Sequence, residues 1–164
     1  MTVESDVPPE RPGLDVGVGR TVARLGRQVE VALAGVDLTI AQYRALTQLS
    51  EGAEASSSLA AKLAVSRPTA TAVVEGLVER GLVGRRYFAE DRRRVSVYLT
   101  DAGWRVLGLA DEAVGAKLAE VLTVVSSRQA ARALSGIAEW GRAMDANKAR
   151  KKAAAENSRP AGAA

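Results

Sequence analysis

The sequence predicts a mainly α-helical fold with one small antiparallel β-hairpin set between helices. Three observations support this prediction. Apolar residues recur every three or four positions over most of the chain, which is the period of an amphipathic helix. Serine or threonine residues that suit helix N-caps precede several of these segments. Two short runs near residues 82–88 and 95–99 are rich in strand-forming residues and flank a polar loop.

The N-terminal half carries signals for four helices. A first helix is predicted over residues 14–34, where Leu14 to Leu33 form one apolar stripe. Its three glycines cost helix stability, at roughly 1 kcal/mol each, or permit close helix approach. Thr39 and Gln42 have the spacing of a capping box and predict that a second helix begins there. A short third helix is expected around residues 59–63.

Ser66 is predicted to be the N-cap of the fourth helix. Pro68 then stands in the first turn, where its missing N–H costs nothing. Gly81 is expected to end this helix, and the two strands follow over residues 82–88 and 95–99. Between them lies a loop that carries Glu90, Asp91 and three consecutive arginines.

Two further helices are predicted after the hairpin. Thr100 and Asp101 begin a long helix that reaches about residue 125, and Ser126 with Gln129 offers a second capping box before the last helix. Residues 1–13 are rich in proline and are expected to be a disordered arm. Residues 148–164 read as a basic flexible tail, although their Ala-Lys portion is also able to extend the last helix.

Composition excludes several functional classes. The chain of 164 residues has neither cysteine nor histidine. Disulfides, thiol-based redox sensing, thiolate zinc sites and His-dependent catalysis are therefore excluded, and we expect neither a cofactor nor an enzyme. No apolar run reaches the length of a membrane span, and the acidic, proline-rich N-terminus is not a signal peptide. Composition does not identify the compartment, although the lack of cysteine is compatible with a reducing cytoplasm.

The net charge of +4 is a property of the C-terminal tail. Residues 148–164 hold five cations and one anion, whereas the remaining chain holds eighteen of each and is neutral. Overall basicity is thus no evidence that the folded part binds nucleic acid. The local charge is better evidence, because residues 85–94 contain five arginines against two carboxylates.

The fourth helix and the hairpin together form the pattern of a winged helix-turn-helix. Small polar residues at a helix start can reach base edges in a major groove, and arginines at a hairpin tip suit a minor groove. The candidate contacts in the helix are Ser66, Arg67, Pro68, Thr69 and Thr71. Arg67 suits a bidentate contact to guanine. The alternative is that Ser66 is only a cap and the other side chains are solvated.

The candidate contacts in the hairpin are Arg85, Arg86, Asp91, Arg92, Arg93 and Arg94. Three adjacent arginines repel one another unless an anion is near, which favours DNA over a solvated loop. Arg85 and Arg86 lie on opposite faces of one strand, so that only one of them can point at DNA. The sequence does not decide which.

Several stretches resemble the MarR (multiple antibiotic resistance regulator) family of bacterial transcription factors. They are LTIAQYRALTQL, then LAAKLAVSRPTATAVVEGLVERGLVGR, then DRRR and VSVYLTDAG, and the resemblance extends over about residues 14–146. It implies a homodimer whose first and last helices interlock (residues 14–37 and 101–147), with a DNA-binding lobe over residues 38–100. It also implies that Asp91 steadies Arg93 by an ion pair, which makes Arg93 the expected tip of the wing.

The same resemblance implies a cytoplasmic, ligand-responsive repressor of double-stranded DNA with a roughly palindromic operator. Family effectors bind between the winged lobe and the dimerisation helices, where Tyr43 and Trp104 are candidates for an aromatic or phenolic ligand. The alternative is a core tyrosine and a semi-exposed tryptophan, while Trp140 is expected in the dimer core. The alternative function is a winged-helix nucleoid-organising or protein-interaction module with poor base readout.

Overall fold

The computed structural model describes residues 17–87 and 95–157. It confirms the mainly helical fold with a small antiparallel sheet, and the residue contacts divide the chain into two compact units, residues 1–118 and 119–164. The elements are α1 (Gly17–Ala34), α2 (Ile40–Ser50), β1 (Glu54–Ala55), α3 (Ser56–Leu63), α4 (Arg67–Glu79), β2 (Val83–Tyr87), β3 (Val95–Leu99), α5 (Asp101–Val121), a 3-10 turn (Leu122–Val124) and α6 (Ser127–Asn157).

The sheet has three strands in the order β1-β3-β2, all antiparallel to their neighbours. β2 and β3 form the hairpin that the sequence predicts, with Val83 opposite Leu99 and Tyr87 opposite Val95. β1 was not predicted. It is only two residues long, Glu54 and Ala55, and so offers no alternation of apolar and polar residues for a pattern to detect.

The first unit has one apolar core. It is built from small and medium aliphatic side chains of α1 to α5 and both hairpin strands, as the low aromatic content requires. The completely enclosed side chains that fill it are Leu33, Leu46, Leu59, Leu77, Val83 and Val97. α4 is therefore anchored by its buried face, Ala70, Val74 and Leu77, and its opposite face is exposed.

The predicted caps are present. Thr39 accepts a hydrogen bond from the Gln42 N–H, and the Gln42 side chain accepts one from the Thr39 N–H at 2.9 Å, which is a complete capping box. Ser126 and Gln129 make the same reciprocal pair before α6. These hydrogen bonds satisfy backbone N–H groups that have no partner within the helix.

The junction between the sheet and α5 is held by Thr100. Its hydroxyl donates to the Gly81 carbonyl at 2.7 Å and accepts from the Gly103 N–H at 3.0 Å. The Leu82 carbonyl lies directly against Gly103, at a place where an added Cβ would overlap its oxygen. Glycine is therefore required at residue 103 so that α5 can approach the start of β2 this closely.

The described part of the second unit consists mainly of α6 and the 3-10 turn before it. None of the described side chains of α6 is buried, although the helix carries an apolar stripe at spacings of three and four. Its members Leu134, Ile137, Trp140 and Met144 are between 45% and 61% exposed. α6 continues to Asn157, so the Ala-Lys portion extends the last helix. Among the described helices, none combines the length and the apolar character needed to cross a membrane.

Candidate DNA-binding surface

The turn that leads into α4 is fixed by two local features. Ala64 has a left-handed backbone (φ 55°), which ends α3 and turns the chain toward α4. Arg44 of α2 donates a hydrogen bond to the Leu63 carbonyl at 2.7 Å, at the same helix end. A guanidinium at a helix C-terminus satisfies orphan carbonyls and complements the helix dipole. Arg44 thus links α2 to the C-terminus of α3, just before the turn that leads into α4.

The N-terminus of α4 combines a cap with exposed candidates. The Ser66 hydroxyl accepts from the Thr69 N–H at 3.2 Å and lies 2.7 Å from the Thr69 hydroxyl. Ser66 is therefore the N-cap that the sequence predicts, and its role toward DNA stays a prediction. Arg67, Pro68 and Thr71 are exposed beside it. The five helix candidates thus occupy one solvent-facing end of α4.

The exposed face of α4 contains residues that the sequence analysis missed. They are Ala72, Glu75 and Glu79, which follow the candidate Pro68 at spacings of four, three and four along the middle of this face. Helical spacing alone could have identified these residues, because they recur from Pro68 on the side of α4 opposite its buried residues. Within α4, the exposed charged side chains are one arginine, Arg67, and the two glutamates. The exposed surface of this helix is therefore not positively charged.

The two strand arginines lie on opposite faces of β2, as alternation requires. Arg85 is paired with Val97 and shares the face that carries the buried Val83, whereas Arg86 is paired with Ser96 on the other face. The Arg86 guanidinium lies 5.4 Å from the centre of the Tyr98 ring. The Tyr98 ring in turn covers Gly84, where an added Cβ would overlap it. Arg86 is thus held over an aromatic face by a cation–π contact.

The four remaining wing candidates, Asp91, Arg92, Arg93 and Arg94, lie outside the described residues. The structure does describe both strands that lead to them, and the last paired positions are Tyr87 and Val95. Tyr87 and Val95, which lie on either side of that segment, are paired with each other at one end of the β2-β3 ladder. The ion pair between Asp91 and Arg93, and the position of Arg93 at the wing tip, stay predictions.

The two ligand candidates lie apart. The Tyr43 hydroxyl donates to Asp111 of α5 at 2.6 Å, and it lines a groove of about 280 Å³ formed by α2 and α3. Burial, with the hydrogen bond to Asp111, raises the pKa of Tyr43 to about 12, so the hydroxyl stays a donor at neutral pH. Trp104 is 51% exposed on α5 and does not line this groove. Their role in ligand binding stays a prediction.

A further contact joins the end of α4 to the turn after α1. Arg80 donates to the Asp37 carbonyl at 2.7 Å and its guanidinium lies 3.3 Å from the Asp37 carboxylate. Asp37 has a left-handed backbone (φ 55°). The carboxylate is almost fully exposed, so the bond to the carbonyl is the stronger part of this contact. It connects the C-terminus of α4 to the chain segment that follows α1.

Comparisons with known proteins agree with this arrangement. Residues 38–95 match the model of the MarR family. The apo structure of MarR from Escherichia coli is similar with a TM-score of 0.65 at 22% identity, over 77% of this chain and 97% of that chain. The repressor CouR, solved with a 23-mer DNA duplex, gives a TM-score of 0.61 at 28% identity, over 75% and 87% of the two chains.

A third solved structure is BpsR of Bordetella bronchiseptica, whose DNA binding is described as regulated by 6-hydroxynicotinic acid. It is similar with a TM-score of 0.56 at 20% identity, over 76% of this chain and 98% of that chain. No curated protein sequence matches the chain. Residues 38–95 thus match the MarR family, and the chain has the fold of the winged-helix transcription regulators of that family.

Proposed function

We propose that the protein is a homodimeric repressor that reads a pseudo-palindromic operator in double-stranded DNA and is released by a small organic ligand. The observation that carries this proposal is the exposed N-terminal end of α4, a helix whose opposite face is buried in the core and which follows the end of α3 that Arg44 binds. In a helix-turn-helix, the first residues of such a helix contact base edges in the major groove. Arg67 is the residue that we assign to a guanine.

The wing supplies the positive charge that α4 lacks. In this proposal Arg93 enters a minor groove, whose negative potential favours arginine, and Arg92 and Arg94 contact the flanking backbone. Arg86 is the better strand candidate for a phosphate contact. It lies on the face of the hairpin away from the core residues, and its side chain is preorganised over Tyr98.

The proposed dimer is supported by apolar side chains that a single chain leaves exposed. α6 carries the stripe that ends at Trp140 and Met144, and α1 exposes Val18, Val22 and Val31 between 37% and 61%. Gly19 and Gly26 of α1 have no heavy atom within 4 Å of an added Cβ, so that close approach at these glycines is left for a partner. Exposed large apolar side chains of this kind are typical of helices that pack against a partner. Two-fold symmetry then requires half-sites about 10 bp apart.

A ligand releases the repressor only if it binds one lobe arrangement better than the other. Tyr43 and Asp111 join α2 of the lobe to α5, and are placed where a phenol or an aromatic acid can compete for the hydrogen bond. Trp104 lies two helical turns before Asp111, on the same side of α5. We therefore keep an aromatic or phenolic ligand as the proposed effector class.

Replacing Arg93 by alanine tests the wing. We expect the affinity for operator DNA to fall about tenfold, because a guanidinium in a narrow groove is lost together with its counterion release. Fluorescence anisotropy at fixed salt measures this change, and sedimentation checks that the dimer is intact. Arg132→Ala, on the exposed surface of α6, is the matched control and should bind as the wild type does. Equal affinity for both variants would remove the wing from the mechanism.

A further inference from the structure

We infer that Glu75 is a specificity-determining residue that accepts a hydrogen bond from the amino group of a cytosine in each half-site. This inference rests on the proposed function, since it requires α4 to lie in a major groove. Glu75 is exposed in the middle of the outward face of α4, in its third turn. Among the described residues the structure shows no ion pair or hydrogen bond of its carboxylate.

The side chains that precede Glu75 on this face are shorter than it is, so its carboxylate extends furthest from the middle of the face. Helical side chains lean toward the N-terminus, so that the Glu75 carboxylate lies over the turn that holds Thr71 and Ala72. Ala72 and Pro68 are short and apolar, and they do not fill the space in front of it. The same two residues suit contact with a thymine methyl group. This end of α4 therefore presents a small apolar patch followed by an acceptor.

A carboxylate in a DNA groove selects among bases, because the phosphates and the acceptor atoms of most bases repel it. Like charges repel one another more strongly near a protein surface than in bulk water, so that Glu75 beside phosphates weakens binding to every sequence. Guanine offers only acceptors in the major groove, and thymine offers an acceptor and a methyl group. Adenine offers an amino donor with the N7 acceptor beside it. Cytosine alone presents an amino donor without an acceptor next to it.

The test compares the base preferences of the wild type with those of Glu75→Gln. Each purified full-length protein enriches duplexes from a randomised pool, and the affinities for single-base variants of the enriched duplex are then measured. We expect the wild type to select cytosine at one position of each half-site. In Glu75→Gln the preferred base at that position should change from cytosine to adenine, because an amide can donate to N7 and accept from N6. The change in relative affinity at this base pair should be about tenfold or more.

Glu79→Gln is the matched control, because it removes the same charge one turn further from the N-terminus of α4. It should leave the selected sequence unchanged. The inference fails if Glu75→Gln selects the same bases as the wild type and merely binds all sequences more tightly. A wild type that enriches no sequence would instead overturn the proposed function itself, and the two failures are thereby distinguishable. Since Glu75 is exposed, thermal unfolding should be the same for all three proteins.

Discussion

Replacing Gly103 by alanine is expected to lower the free energy of unfolding by about 3 kcal/mol or more. The new Cβ would overlap the Leu82 carbonyl oxygen and would lie 3.1 Å from both the carbonyl carbon and a methyl group of Leu99. The carbonyl has little room to retreat, because it accepts a hydrogen bond from the Thr100 N–H and shares the Thr100 hydroxyl proton with the Gly81 carbonyl, both at 3.1 Å from the Leu82 oxygen. The substitution therefore forces α5 away from the sheet.

Urea denaturation at a fixed protein concentration measures this loss, and Gly108→Ala is the matched control. Gly108 is exposed in the same helix, and an added Cβ there meets no atom within 4 Å. The helix propensity of alanine should stabilise that variant by up to about 1 kcal/mol. If both variants unfold at the same urea concentration, the close approach of α5 to Leu82 is not a constraint on the fold.

Replacing Ile137 by glutamate is expected to convert the dimer to monomers and to weaken operator binding at least a hundredfold. Ile137 is 45% exposed in the single chain, at the centre of the apolar stripe of α6. In the proposed dimer each copy would bury an unpaired carboxylate, which costs several kcal/mol per site. A monomer engages one half-site only and loses the gain from two linked contacts.

Sedimentation equilibrium reports the mass of the Ile137→Glu variant, and anisotropy reports its affinity. Ser135→Glu adds the same charge on the opposite side of α6 and should remain a dimer with wild-type affinity. A dimeric Ile137→Glu variant would place the interface elsewhere. A monomeric variant with full operator affinity would show instead that one lobe is sufficient for recognition.

The parts of the fold that local patterns determine could be predicted from the sequence. Thr39 with Gln42, and Ser66 with Thr69, are contacts between residues three apart, so that spacing alone identifies them. β1 could not be predicted, because Glu54 is a strand residue only through its pairing with Val97. The need for glycine at residue 103 likewise arises from a contact with Leu82, twenty-one residues earlier in the chain.

The candidate site was predicted in part. The sequence predicted the start of α4 and the arginine-rich loop. It did not single out Glu75 and Ala72, because the candidates were chosen among hydroxyl and arginine side chains. Which of two strand arginines lies away from the core depends on the register of β2 with β3, and the sequence left this open. The register answers it, because Arg85 pairs with the buried Val97 and Arg86 with Ser96.

The distribution of charge bears on the choice between a specific regulator and a nonspecific module. Nonspecific DNA binding is supplied by phosphate contacts from Lys and Arg. α4 instead presents Glu75 and Glu79 on its exposed face, which penalises indiscriminate binding. The proposed repressor is thus favoured over a nucleoid-organising protein by carboxylates that repel phosphates, a repulsion that Glu75 would offset only where a base donates a hydrogen bond to it.

The ratio of specific to nonspecific affinity tests the central claim most directly. Anisotropy titrations of the wild-type protein would compare the duplex enriched from a randomised pool with scrambled DNA of the same length, at about 150 mM salt. The account predicts a preference of about a thousandfold or more, with two protomers bound per duplex. Equal and weak affinity for both duplexes would contradict it and would identify a winged-helix module without base readout.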